Sequence, residues 1–159
     1  MATYEFWAHG NATRAQREGY FINKLHSGAG AVFRTHGAEW FHIVVPTPAK
    51  VSGVSLKVNR VSVFFKTLGT SRITAIDLYD GIRRAVEIRK NLPVSGDHSA
   101  EIEVGQNTWE FPSPDPDSLP PPIHVKFGLG ISVRVDFGPP TQAGVPEINF
   151  VAAGARFVS

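Results

Sequence analysis

Gly130 to Phe137 alternates strictly, with Ile131, Val133, Val135 and Phe137 set against Ser132, Arg134 and Asp136. Alternation of this kind specifies a strand with one face buried and the other in water. Period-two segments recur along the chain: Thr3 to His9, Gly19 to Leu25, Ala31 to Thr35, Glu39 to Val45, Val54 to Leu68, Arg72 to Tyr79, Ile82 to Arg89, Ala100 to Val104, Thr108 to Phe111, Ile123 to Gly128 and Ile148 to Val158. Gly and Pro punctuate them. The 15 Gly and 12 Pro exceed the usual combined share of about 12%, and both residues destabilise helix interiors. The pattern predicts an all-β protein, an antiparallel, jelly-roll-like β-sandwich of about ten short strands, with a barrel as the alternative. Residues 1–159 read as one domain, because no linker separates two cored halves.

Local features refine this reading. Between Val54 and Leu68 the apolar parity switches near Asn59-Arg60, which predicts a bulge, since one extra residue flips the face. Asp80-Gly81 joins two alternating segments and predicts a hairpin; a helix capped by Asp80 is the competitor. Glu39 to Val45 is apolar on both faces, Trp40, His42 and Val44 on one and Phe41, Ile43 and Val45 on the other. Such a strand is expected at the centre of a sheet and covered on both sides. Pro46-Thr47-Pro48 stops it. The closing segment from Ile148 is expected to bend at Gly154. Residues 112–122 hold six prolines in eleven positions, a loop that cannot enter a ladder and favours extended, polyproline-like conformation.

Charge and ends exclude several classes. Sixteen Lys and Arg against 14 Asp and Glu leave a net charge of +2. The densest basic stretch, Arg83, Arg84, Arg89 and Lys90, has Glu87 within it and reads as a solvated strand face rather than a nucleic-acid patch. Without cysteine there is no disulfide, thiolate metal site or cysteine nucleophile. The N-terminus shows no basic region followed by an apolar stretch, so no signal peptide is expected and the location is expected to be cytoplasmic. Apolar runs fall far short of the ~20 residues that span a bilayer.

No catalytic set assembles by spacing. Six histidines, at 9, 26, 36, 42, 98 and 124, lack any metal-ligand pattern, so neither a metal nor a cofactor is expected. His42 reads as a core or rim histidine. Ser95-Gly96-Asp97-His98 has the residue types of a hydrolase triad, but adjacency is the wrong geometry. It reads as a turn in which Asp97 bonds nearby amides. Asp115 and Asp117 sit among prolines and lack a calcium-loop pattern. Trp7, Trp40 and Trp109 are weighed as sugar-stacking platforms or as core.

Trp7-Ala8-His9-Gly10-Asn11, Trp40-Phe41-His42-Ile43, Pro46-Thr47-Pro48, Leu78-Tyr79-Asp80-Gly81, Ser95-Gly96-Asp97-His98 and Gly128-Leu129-Gly130-Ile131-Ser132 follow one another in order. This series resembles a bacterial family of small all-β proteins of unknown function. The resemblance implies one β-sandwich domain and supplies no activity, cofactor or site.

The first functional expectation is a non-enzymatic protein that works by binding or self-association as a homo-oligomer. Pro114, Pro116, Leu119 and Pro121 are its expected interface. The second is recognition of a glycan or small ligand through Trp7, Trp109, Asp97 and His98. The third is a metal-dependent hydrolase using distant histidines. Nucleic acid and membrane are not expected partners.

Overall fold

The computed structural model describes residues 2–19, 21–48, 50–111, 123–142 and 144–159. The first eight strands are β1 (Thr3–His9), β2 (Arg14–Ala15), β3 (Asn23–Ser27), β4 (Gly30–Arg34), β5 (Gly37–Val45), β6 (Lys50–Val51), β7 (Val54–Ser55) and β8 (Lys57–Leu68). The remainder are β9 (Arg72–Asp80), β10 (Arg83–Ile88), β11 (Asp97–His98), β12 (Thr108–Glu110), β13 (Ile123–His124), β14 (Leu129–Gly138) and β15 (Glu147–Val158). The protein is an all-β sandwich with antiparallel sheets. Among the described residues the only helical turn is a short 3-10 turn at Gly10–Ala12.

Five strands form one sheet in the order β10-β9-β14-β5-β2. The other sheet has eight strands, along β11-β8-β15-β4-β3, with β1 on β15 and β12 and β13 on β8. Strand β15 shares one edge between two partners. Glu147 to Phe150 pair with β4, and Ala152 to Val158 pair with β1. The extra residue Val151 falls at the changeover, where the register against β8 also shifts. The strand count exceeds the expected ten because β11, β12 and β13 are three pieces of one interrupted edge, laid successively along β8, and because β2, β6 and β7 are two-residue strands.

The core lies between the sheets. Phe41 from the five-stranded sheet meets Phe33 and Phe150 of the other, with ring centroids 4.7 and 5.1 Å apart, and Phe137 at 6.1 Å. All four are fully buried, and such tilted aromatic pairs stabilise beyond their buried area. The alternation from Gly130 to Phe137 is present as read, with Ile131, Val133, Val135 and Phe137 buried.

Other expectations meet the structure unevenly. Asn59 is the extra residue of a bulge, because Arg156 pairs with Arg60 and Phe157 with Val58. The hairpin forms, but its loop is Gly81-Ile82, since Asp80 still pairs with Arg83. Gly81 alone takes a positive φ, +61°, as a type II′ turn requires. Ala100 to Val104 is not a strand. The buried Asn107 side chain donates to His98 and Glu101 carbonyls and accepts from the Glu103 amide, replacing a ladder with one side chain's bonds. Ile123 to Gly128 is likewise shortened to β13, because the Asp80 carboxylate captures the Lys126 and Phe127 amides at 3.0 and 2.8 Å.

The core predicts a contrast within one strand. Phe41→Ala should lower the unfolding free energy by about 3–5 kcal/mol in urea denaturation. Val44→Ala, on the opposite face of β5, should change it by less than about 0.5 kcal/mol.

Candidate functional site

Registers across the five-stranded sheet define its outer face. One row runs Arg14, His42, Ser132, Asp77 and Glu87 across β2, β5, β14, β9 and β10. The next runs Val44, Gly130, Tyr79 and Arg84. At Gly130 the missing side chain leaves a shallow dimple of about 240 Å³, lined by His42, Val44, Tyr79 and Ser132. Val44 is 72% exposed, and at the same end of the sheet Phe127 is 82% exposed and Ile82 fully so. Phe127 packs beside Gly81, next to Ile82 in the hairpin loop. Strand β5 is therefore buried on its inner face only, which corrects the expectation that both faces are covered. On its outward face Trp40 and His42 are half-buried, and Val44 is left exposed.

Polar groups flank this apolar end. His42 Nδ1 lies 2.8 Å from Ser132 Oγ. Burial holds the His42 imidazole below its ordinary pKa, with Glu39 opposing weakly, so it is neutral at pH 7. Asp77 stands beyond Ser132 and not behind the imidazole, so the three do not form the relay that nucleophilic catalysis uses. Asp77 is buried and held instead by Arg89 at 2.8 Å and Arg84 at 3.6 Å, and both arginines also reach Glu87. Two of the four residues in the basic stretch are thus neutralised by two carboxylates, consistent with a solvated ionic face.

The four residues expected to bind a ligand do not share a site. Trp109 is 3% exposed and pairs with Val61 on the core side, so it offers no ring face, and that expectation is corrected. His98 uses both nitrogens, Nδ1 to Glu103 at 3.0 Å and Nε2 to the Ser95 carbonyl at 2.9 Å. Asp97 accepts from the Ser99 amide and hydroxyl, as a turn residue would. That bond and nearby Lys66 hold its carboxyl below the usual range. Trp7 is 38% exposed on the outer face of the eight-stranded sheet. Pro114, Pro116, Leu119 and Pro121 lie outside the described residues. Among the described residues no three His, Asp or Glu side chains gather to hold a metal ion, and no helix is long and apolar enough to cross a membrane.

Sequence reasoning missed Tyr79, Gly130, Ile82 and Phe127 as surface-defining residues. The available signal was β5 itself, a strand apolar on both sides.

Two packed antiparallel sheets with an uncovered apolar end define an all-β sandwich protein. The chain belongs to the family of unknown function DUF6623, whose model matches residues 1–108. No curated protein and no solved structure gives a match.

The lowered His42 pKa carries a sign. Well above pH 6.5 the group is neutral in both folded and unfolded chains and contributes nothing to pH dependence. As pH falls below 6.5 the unfolded chain takes up the proton first, so stability declines until the folded imidazole also titrates. Urea midpoints measured from pH 7 to pH 5 should fall for the native chain and fall less for His42→Gln.

Proposed function

We propose that this is a non-enzymatic protein that self-associates through the Val44–Gly130–Tyr79 end of the five-stranded sheet, with a second copy of the chain as occupant. The observation that carries this reading is the composition of β5. Its outward residues have the apolar character of a covered strand, yet Val44, Phe127 and Ile82 stand exposed together at that end. Clustered apolar exposure on a soluble-type surface marks an interaction site.

The rim favours a second copy over an unlike partner. Arg84 stands opposite Tyr79 and pairs with Glu87 at 2.9 Å. A patch bordered by both signs is self-complementary about a two-fold axis, where one copy's arginine meets the other's glutamate. Strand edges are poorer candidates. Edge strand β10 carries Arg83, Arg84 and Glu87 and a bulge at Ala85. Edge strand β3 places Lys24 opposite buried Phe33, a charge on the core-facing side. Both are devices that block edge-to-edge pairing.

Sedimentation velocity across a wide concentration range tests this. The native chain should sediment as a dimer, and Val44→Ser with Phe127→Ser should shift it to a monomer that keeps the native far-ultraviolet circular dichroism spectrum. A native monomer throughout, or a dimer untouched by both substitutions, contradicts the proposal.

A further inference from the structure

We propose that the outer face of the eight-stranded sheet is a saccharide platform built on Trp7 and Phe64, and that it takes a neutral, β-linked pyranose chain. The proposal does not depend on self-association, which uses the other sheet.

The seat of Trp7 is the first observation. Trp7 stands opposite Gly154 across β1 and β15. A Cβ at position 154 would fall 2.4 and 2.5 Å from Cε3 and Cδ2 of the indole, so the ring lies directly on the backbone. Glycine inside a strand weakens it and often marks a close approach. Here it sits mid-strand in β15, paired on both sides, and its effect is to let the indole lie against the backbone while Trp7 stays 38% exposed. Phe64 extends the surface, its ring 5.3 Å from that of Trp7 with planes 38° apart. Trp7 is 38% exposed and Phe64 half-buried, so among the described residues the two contacting rings present a partly exposed aromatic surface.

The rim supplies the second observation. One row along the sheet, Glu5, Arg156, Arg60 and Glu110 stand abreast on β1, β15, β8 and β12. Arg60 pairs with Glu5, and Arg156 bonds Asn59 at 3.0 Å and Glu110 at 3.4 Å. These groups place planar donors and acceptors one row from Trp7 on the same face, and vicinal hydroxyls can bond to such groups. Two arginines against two glutamates leave the rim without net charge, which selects a neutral saccharide over a sulfated or uronic one. A pyranose with equatorial hydroxyls has an apolar C–H face to lay on an indole and a polar edge to meet such a rim. An open platform, unlike a closed pocket, suits a chain approached from one side.

Titration with cellohexaose, xylohexaose and chitohexaose, followed by tryptophan fluorescence and calorimetry, tests the proposal. At least one should give a saturable fluorescence change and a matching heat, unchanged in Trp40→Phe. Trp7→Ala and Phe64→Ala should each weaken the calorimetric affinity by about tenfold or more. Arg60→Gln should weaken it with the aromatic platform intact, and this variant decides the matter if Trp7→Ala does not fold. Absence of any response to all three hexasaccharides, or native affinity in folded Phe64→Ala and Arg60→Gln, overturns the platform.

Discussion

Two late strands hold the architecture together. β14 lies between β9 and β5 in one sheet, and β15 lies between β8 on one side and β4 and β1 on the other. Each is the central strand of its sheet, and between them they carry ten core residues from Leu129 to Phe157. The family match ends at residue 108, before either begins. Without them, β5 and β9 have no common partner, and β8, β4 and β1 have none either. Most of the pairing is therefore long-range in sequence, a topology in which the entropy of closing large loops precedes the gain from contacts.

This arrangement also explains why the two outer faces differ. On the five-stranded sheet Gly130 opens a dimple beside Val44 and Tyr79, leaving an apolar end rimmed by Arg84 and Glu87. On the eight-stranded sheet Gly154 is instead covered by an aromatic ring, and charged residues stand beside it. Each central strand contributes one glycine to its outer surface. The first produces a recess suited to burial against another chain, and the second a platform suited to stacking.

Much of the fold was legible because backbone pairing leaves a period in the sequence. The alternation of β14, the bulge at Asn59 and the hairpin beyond Asp80 all follow from it. What period could not reveal was where a side chain replaces a strand. Asn107 holds Ala100 to Val104 as a loop through bonds to His98, Glu101 and Glu103, and Asp80 does the same for Lys126 and Phe127. β15 runs as one strand through Gly154, and its register against β8 shifts at Val151, where it changes partner, and again between Arg156 and Phe157. The candidate sites were less legible. Trp109 and Trp7 have the same strand context, but register alone puts the first beneath the sheet and the second above it. The two apolar faces of β5 were visible in sequence, whereas the exposure of Val44 on one of them required the packed structure.

The dependence on β14 and β15 is tested most directly by a chain that ends at residue 108, compared with the full chain by far-ultraviolet circular dichroism during urea denaturation. The account predicts that the full chain loses its strand signal in one cooperative step and that the shortened chain shows no cooperative transition. A shortened chain that retained a native-like strand signal and unfolded cooperatively would contradict it.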